Sequence, residues 1–137
     1  MNALAALQVG RILSVDDETA FASLSEYQGS WRRFEVKEGI AEDKKITVVS
    51  DYGHHPNEIS ATFKAAREKY KDKKIWCVFQ PHQYQRTHYL FDDFVTVFAE
   101  AQIDQIIITD IYDVAGREEK EITSHTNSKM LAEKVGK

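Results

Sequence analysis

Two short stretches hold the residues of this chain best suited to chemistry. The first, "SDYGHHPNE" at 50–58, leaves the apolar run Ile46, Thr47, Val48, Val49 and sets an acid, an aromatic, a glycine and two histidines directly before a proline. A carboxylate at a strand end can accept both hydroxyls of a ribose, and a neighbouring ring can carry a base, so Asp51 and Tyr52 are candidate nucleotide contacts. The second, "QPHQYQRT" at 80–87, places His82 and Arg86 four residues apart near the start of a helical segment. There they can converge on an anion such as a carboxylate or a phosphate. A third stretch, "DIYDVAGREE", brings Asp110, Asp113, Arg117, Glu118 and Glu119 and reads more readily as loop electrostatics.

Plainer readings stand beside these. Gly53 can serve an αL turn, His55 can cap the next helix, and Asp51 can accept loop N–H groups. His82 and Arg86 can be a cap and a solvated cation. A metal centre built from His54, His55, His82 and Asp110 has no metal-site spacing behind it, so no metal ligand is assigned.

The elements that position these residues follow from apolar spacing. "MNALAALQVGRIL" reads as a helix, and Ser14 followed by Asp17 reads as the capping pair of a second helix over about 16–28. "RRFEV" reads as a short strand, "EGIAEDKK" as a polar turn, and "ITVVS" as a buried strand ending at Asp51. Pro56 suits the first turn of a helix bearing Ile59, Phe63, Ala66 and Tyr70 on one face. "KIWCVFQP" and "QIIITDIY" read as strands around a helix marked by Leu90, Phe91, Phe94, Val97, Phe98 and Ala101, and "NSKMLAEKV" closes as a helix. Alternating helices and apolar strands predict an α/β fold, a mostly parallel, Rossmann-like sheet with helices on both faces. In such sheets ligands bind beyond the carboxyl ends of the strands, where the two chemical stretches fall.

Composition narrows the function classes. A length of 137 residues suits one domain, and a net charge of -4 without a basic stripe makes nucleic acid a poor partner. No apolar run approaches the roughly 20 residues of a membrane span, and the N-terminus lacks the basic start and cleavage site of an export signal. The lone Cys77, inside "IWCVF", can form no internal disulfide and reads as core packing in a reducing cytoplasm.

"GSWRRFE", "DYGHHPNEI" and "VFQPHQYQRT", in that order and at these separations, resemble the C-terminal region of the Mur ligase family. The likeness is to the members that join L-alanine to UDP-N-acetylmuramate in bacterial peptidoglycan synthesis, and it covers essentially the whole chain. "NALAAL" resembles the helix near the end of the family's central, ATP-binding domain. The resemblance therefore implies that 1–28 ends that domain and connects it to a C-terminal domain at 29–137. It implies an ATP- and Mg2+-dependent bacterial cytoplasmic ligase that phosphorylates the muramoyl carboxylate and lets the amino-acid amine attack the acyl phosphate. By motif position Arg33 would reach the ATP phosphates, Asp51 the ribose and Tyr52 the adenine, with Asn2 lining the base. His82 and Arg86 would face the incoming amino acid, Arg86 clamping its carboxylate, while His54 and His55 would only shape the loop.

The chain also departs from the family pattern. Gln83 stands where arginine often follows the histidine of "QPH", and a neutral amide cannot replace a guanidinium fork, so the resemblance carries ATP use further than alanine specificity. No G-x-x-x-x-G-K-[ST] segment occurs, and the family's magnesium ligands and UDP-binding domain have no counterpart. The expectation is a fragment, inactive alone, whose unpaired sheet edge favours self-association. The rival readings are a sister ligase that attaches a whole peptide, and a stand-alone nucleotide-binding or interaction module.

Overall fold

The computed structural model describes residues 2–27, 29–113 and 120–136. The chain divides into two compact units, Met1–Ser50 and Asp51–Lys137.

In the first unit α1 (Asn2–Ile12) packs on α2 (Asp17–Glu26). Gly10 faces the corner between them, where an added Cβ would make only ordinary contacts, 3.8 Å from that of Val15 and 4.0 Å from that of Ala20. Arg11 closes the corner with a two-pronged pair to Asp17, at 2.8 and 2.7 Å, and this holds the Asp17 carboxyl below its ordinary range. The cap of α2 is Asp16, which accepts the Thr19 N–H at 2.9 Å, and not the Ser14 expected from sequence. Ser14 instead takes a left-handed φ of 60° in the turn before it.

β1 (Glu35–Ala41) and β2 (Lys44–Ser50) form an antiparallel hairpin. The expected polar turn over "EGIAEDKK" shrinks to Glu42 and Asp43, whose φ values of 47° and 61° are those of a type I′ turn. Two residues can join only antiparallel strands, since a parallel crossover needs a dozen or more. The expected membership of "ITVVS" in a buried parallel sheet is thereby corrected: β2 is mostly exposed and pairs with its own neighbour.

The second unit carries the core. α3 (Pro56–Lys69) begins at proline as expected. β3 (Trp76–Phe79) and β4 (Gln105–Ile108) pair in parallel, from Trp76 opposite Gln105 to Phe79 opposite Ile108. Their crossover holds α4 (Tyr84–Tyr89) and α5 (Phe91–Glu100), and α6 (Lys120–His125) and α7 (Ser128–Val135) follow. The single helix expected around 90–101 is preceded by a separate turn of helix, the two meeting at Leu90, whose φ of -109° and ψ of 21° interrupt helical geometry.

Alternation along the strands sends Cys77, Phe79, Ile106 and Ile108 to one face, where they meet Ile59, Phe94, Phe98, Leu131 and Val135. Phe98 is fully buried, its ring 5.1 Å from that of Phe79 and 5.9 Å from that of Phe63. Trp76, Val78 and Ile107 on the other face are exposed. Among the described residues this unit's sheet is a parallel pair, with residues of α3, α5 and α7 packed against its buried face. An apolar run reports that a strand prefers burial, not which element buries it.

Arg67 staples the entry to both strands. Its guanidinium donates to the Gln102 carbonyl at 2.6 and 2.8 Å, to the Lys73 carbonyl at 3.0 Å and to Asp104 at 2.9 Å. Asp104 also accepts the Ile75 N–H at 2.8 Å, so this N–H and Arg67 hold its carboxyl below the ordinary range.

Burial pushes the Cys77 thiol up to about 11. The neutral thiol is the form the fold favours, so the reactive thiolate is depleted in the native chain. At pH 8 iodoacetamide should alkylate native Cys77 about a hundredfold more slowly than the urea-unfolded chain, the expected consequence of a two-unit shift. Equal rates would place the thiol in solvent.

Candidate functional site

Loops that begin at Asp51, Gln80 and Thr109 meet in the second unit. The first is held by its own polar groups. Asp51 Oδ1 accepts the Gly53 N–H at 2.7 Å, and Glu58 Oε2 accepts those of His54 and His55 at 3.0 and 3.2 Å. His55 caps α3, its Nδ1 accepting the Asn57 N–H at 3.3 Å, and Glu58 completes a capping box. The plain reading of His55 and of the Asp51 carboxylate as a loop acceptor is therefore what the structure contains. Gly53 is needed for a different reason than an αL turn, because its φ is not positive. A Cβ there would lie 2.9 Å from Asp51 Oδ1 and 3.4 Å from Glu58 Cβ, so a side chain at this position would displace the Asp51 carboxylate from its bond to the Gly53 N–H.

The second loop continues the sheet after a gap. Thr109 N–H donates to the Phe79 carbonyl at 2.9 Å, Tyr112 N–H to that of Pro81 at 2.7 Å, and Gln83 N–H to that of Tyr112 at 3.0 Å. His82 and Tyr112 are thus bridged in parallel beyond the strand ends. Gln83 turns the chain into α4 with φ 73° and ψ 133°. A non-glycine residue there stores roughly 1–3 kcal/mol of strain. The Gln83 carbonyl is fixed by the N–H and hydroxyl of buried Thr87, at 3.1 and 2.9 Å.

Four rings follow one another across the loops. Tyr52 meets His54 edge-on at 5.3 Å, His54 lies 6.0 Å from His82, and His82 stacks on Tyr112 at 5.2 Å with 21° between planes. Arg86 Nη1 reaches back one turn to the His82 carbonyl at 3.2 Å and to its Nδ1 at 3.3 Å. His54 Nδ1 lies 2.9 Å from the Tyr52 carbonyl, a partner that can only accept.

Of the residues singled out from sequence, Asp51, Tyr52, His82 and Arg86 lie in the second unit, and Tyr52, His82 and Arg86 join this ring cluster, with His54 as the link. Asn2, at the start of α1, and Arg33, in the turn before β1, are exposed residues of the first unit. Asp110 accepts the Ser128 hydroxyl at 3.3 Å, in keeping with loop electrostatics, while Arg117, Glu118 and Glu119 lie outside the described residues. Sequence reasoning passed over Tyr112. Its signal was an aromatic directly beyond an apolar strand, the placement that drew attention to Tyr52. Among the described residues no group of three metal-ligating side chains is present. A depression of about 400 Å³ between α3 and α5, lined in part by Phe63, Lys64, Arg67 and Val97, contains none of the predicted site residues.

Gly53→Ala should lower stability by about 1–3 kcal/mol in urea unfolding, the range for overpacking, and shift the amide signals of Tyr52 and His54. An alanine variant matching the parent in both would show that the close approach is not what requires glycine.

The chain was compared with known proteins. A family model described as "Mur ligase, glutamate ligase domain" matches residues 32–136. UDP-N-acetylmuramate–L-alanine ligases from two Clostridium botulinum strains, Okra (type B1) and Loch Maree (type A3), are each 45% identical over 98% of this chain. The chain spans 27% of the length of these relatives. The crystal structure of UDP-N-acetylmuramate-alanine ligase MurC from Thermotoga maritima aligns with a TM-score of 0.67 at 27% identity, over 98% of this chain and 26% of that one. With its ring-bearing loops inside the matched span, the chain belongs to the Mur ligase family.

Proposed function

We propose that this chain is the C-terminal part of a bacterial, cytoplasmic, ATP-dependent ligase that joins L-alanine to UDP-N-acetylmuramate in peptidoglycan synthesis. The observation that carries the reading is the 45% identity to such ligases along 98% of the chain. In this reading residues 1–28 close a central ATP-binding domain, and 29–137 belong to a domain whose sheet, completed in the parent, is Rossmann-like and mostly parallel.

The chemistry needs two steps. A carboxylate is a poor electrophile, so a muramoyl carboxylate oxygen first attacks the γ-phosphorus of ATP, forming an acyl phosphate and releasing ADP. The alanine amine then attacks the acyl carbon, the C–O bond to phosphate breaks, inorganic phosphate leaves and the nitrogen loses a proton. Positioning and charge stabilisation dominate such transfers. We assign Arg33 to the ATP phosphates, Asp51 to the ribose, Tyr52 to the adenine and Asn2 to the edge of the base. His82 and Arg86 face the amino acid, Arg86 binding its carboxylate.

The geometry supports these roles in part. Tyr52 is exposed and can stack on a base, and Asp51 is held at the head of its loop through Gly53. Arg86 engages His82 through one of its three guanidinium nitrogens, and a planar fork of five donors suits a carboxylate. The Mg2+ ligands are assigned to the central domain of the parent enzyme, and no step is routed through the metal here.

Exchanging this chain for the matching segment of the Clostridium botulinum ligase tests the proposal. The hybrid should release phosphate in an alanine-dependent manner, whereas the chain alone should not. Arg86→Ala in the hybrid should raise the alanine KM about tenfold to a hundredfold, the worth of a charge-assisted bond, with the ATP KM little changed. An unaltered alanine KM would refute the carboxylate clamp. Gln83 keeps one alternative open: a hybrid that ignores alanine but turns over a tripeptide would assign the chain to a peptide-adding ligase.

A further inference from the structure

The helix α4 carries Arg86 yet has little of its own to hold it in place. Its six residues fall well below the roughly 12 at which an isolated helix becomes even marginally stable. Its N-cap, Gln83, makes no side-chain cap bond, and helical geometry breaks at Leu90. The placement of α4 therefore depends on ties to the rest of the unit. Thr87 is buried beneath it but bonds back to Gln83 within the same turn. His88 reaches much further: its Nδ1 lies 2.9 Å from the hydroxyl of Thr126, 38 residues along the chain.

Thr126 is a firm anchor. It is 3% exposed and sits directly before Asn127, the N-cap of α7, whose side chain accepts the Met130 N–H at 2.9 Å. α7 in turn buries Leu131 and Val135 in the core beside Phe94 and Phe98. A hydroxyl so deeply placed needs a partner, and the ring of exposed His88 brings one to it. A hydroxyl both donates and accepts, so the bond forms with either tautomer of the ring. Tyr89 meets the same ring edge-on at 5.2 Å. Successive helical residues lie about 100° apart, which puts His88 and Arg86 on opposite sides of α4. His88 fastens the helix from behind, while Arg86 leaves it toward His82.

We infer that His88 and Thr126 are positioning residues, whose hydrogen bond docks α4 on the start of α7 and so fixes where the Arg86 guanidinium stands. The functional half of this inference rests on the reading in which Arg86 binds the amino-acid carboxylate. Such a clamp is a matter of placement, since a planar fork meets both carboxylate oxygens only in a narrow range of positions. Loss of the bond frees α4 to shift between its strained joint at Gln83 and its break at Leu90. The cost then falls on amino-acid binding and not on nucleotide binding.

Placement and use are tested separately. In the isotope-labelled chain, Thr126→Val, which keeps the side-chain shape and loses the hydroxyl, should shift the Arg86 and Thr87 amide signals. His88→Ala, which truncates an exposed ring and leaves the core intact, should shift them too, and Thr126→Ser should leave them in place. In the ligase hybrid, Thr126→Val and His88→Ala should each raise the alanine KM about fivefold, the worth of one hydrogen bond, with kcat and the ATP KM little changed. Thr126→Ser should keep the parent value. Added to Arg86→Ala, neither variant should raise the alanine KM further, because the bond acts through that guanidinium. Arg86 and Thr87 signals indifferent to both variants, or a further rise on the Arg86→Ala background, overturn the inference. So does an alanine KM that responds to Arg86→Ala and not to Thr126→Val or His88→Ala. An alanine KM that Arg86→Ala itself leaves unchanged overturns instead the reading of Arg86, and the amide signals alone then decide the docking of α4.

Discussion

The parallel register of two four-residue strands governs everything placed beyond them. Asp104 pins one end, taking the Ile75 N–H into its carboxylate while its own N–H donates to the Ile75 carbonyl at 3.0 Å. The register runs from Trp76 opposite Gln105 to Phe79 opposite Ile108 and reappears as the His82 and Tyr112 bridge. Between lies Pro81, which has no N–H to offer but whose carbonyl accepts from Tyr112. The loops beyond the strand ends are therefore tied by main-chain bonds, and the side chains they carry inherit a fixed spacing.

That spacing is held at some cost. Gln83 occupies a left-handed conformation better suited to glycine, and the bonds of Thr87 and Tyr112 keep it there. On the Asp51 loop the corresponding constraint is steric, since Gly53 brings main chain against the Asp51 carboxylate, which a side chain there would have to displace. The Phe79, Phe94 and Phe98 cluster beneath supplies the rigid floor. A site that relies on hydrogen-bond donors gains from this arrangement, because preset donors need little reorganisation when charge develops.

Much of this was legible in the sequence where one residue type has one physical use. Pro56 opening α3 and the stripe from Phe91 to Phe98 are of this kind, and so is the placing of Asp51, Tyr52 and His82 beyond strand ends, with Arg86 near the start of the helix that follows. Other features were not legible because the deciding quantity is not in the residue types. Glu42 and Asp43 form a hairpin turn without glycine or asparagine, and Leu90 separates two helices without glycine or proline. Ser14 and Asp16 are both good caps, and only the path of the chain selects Asp16. Tyr112 sat in a stretch weighed for its charges, and its contact with His82 depends on a register that no local pattern encodes.

Hydrogen exchange at the Gln83 and Tyr112 amides tests the central claim most directly. If the register truly resumes beyond Pro81, both amides should be protected to a degree comparable with Thr109, whose N–H bonds the Phe79 carbonyl at the end of the regular ladder. Exchange at the rate of an unstructured chain at Gln83 and Tyr112, with Thr109 still protected, would mean that the sheet ends at Phe79 and that the ring cluster has no main-chain support.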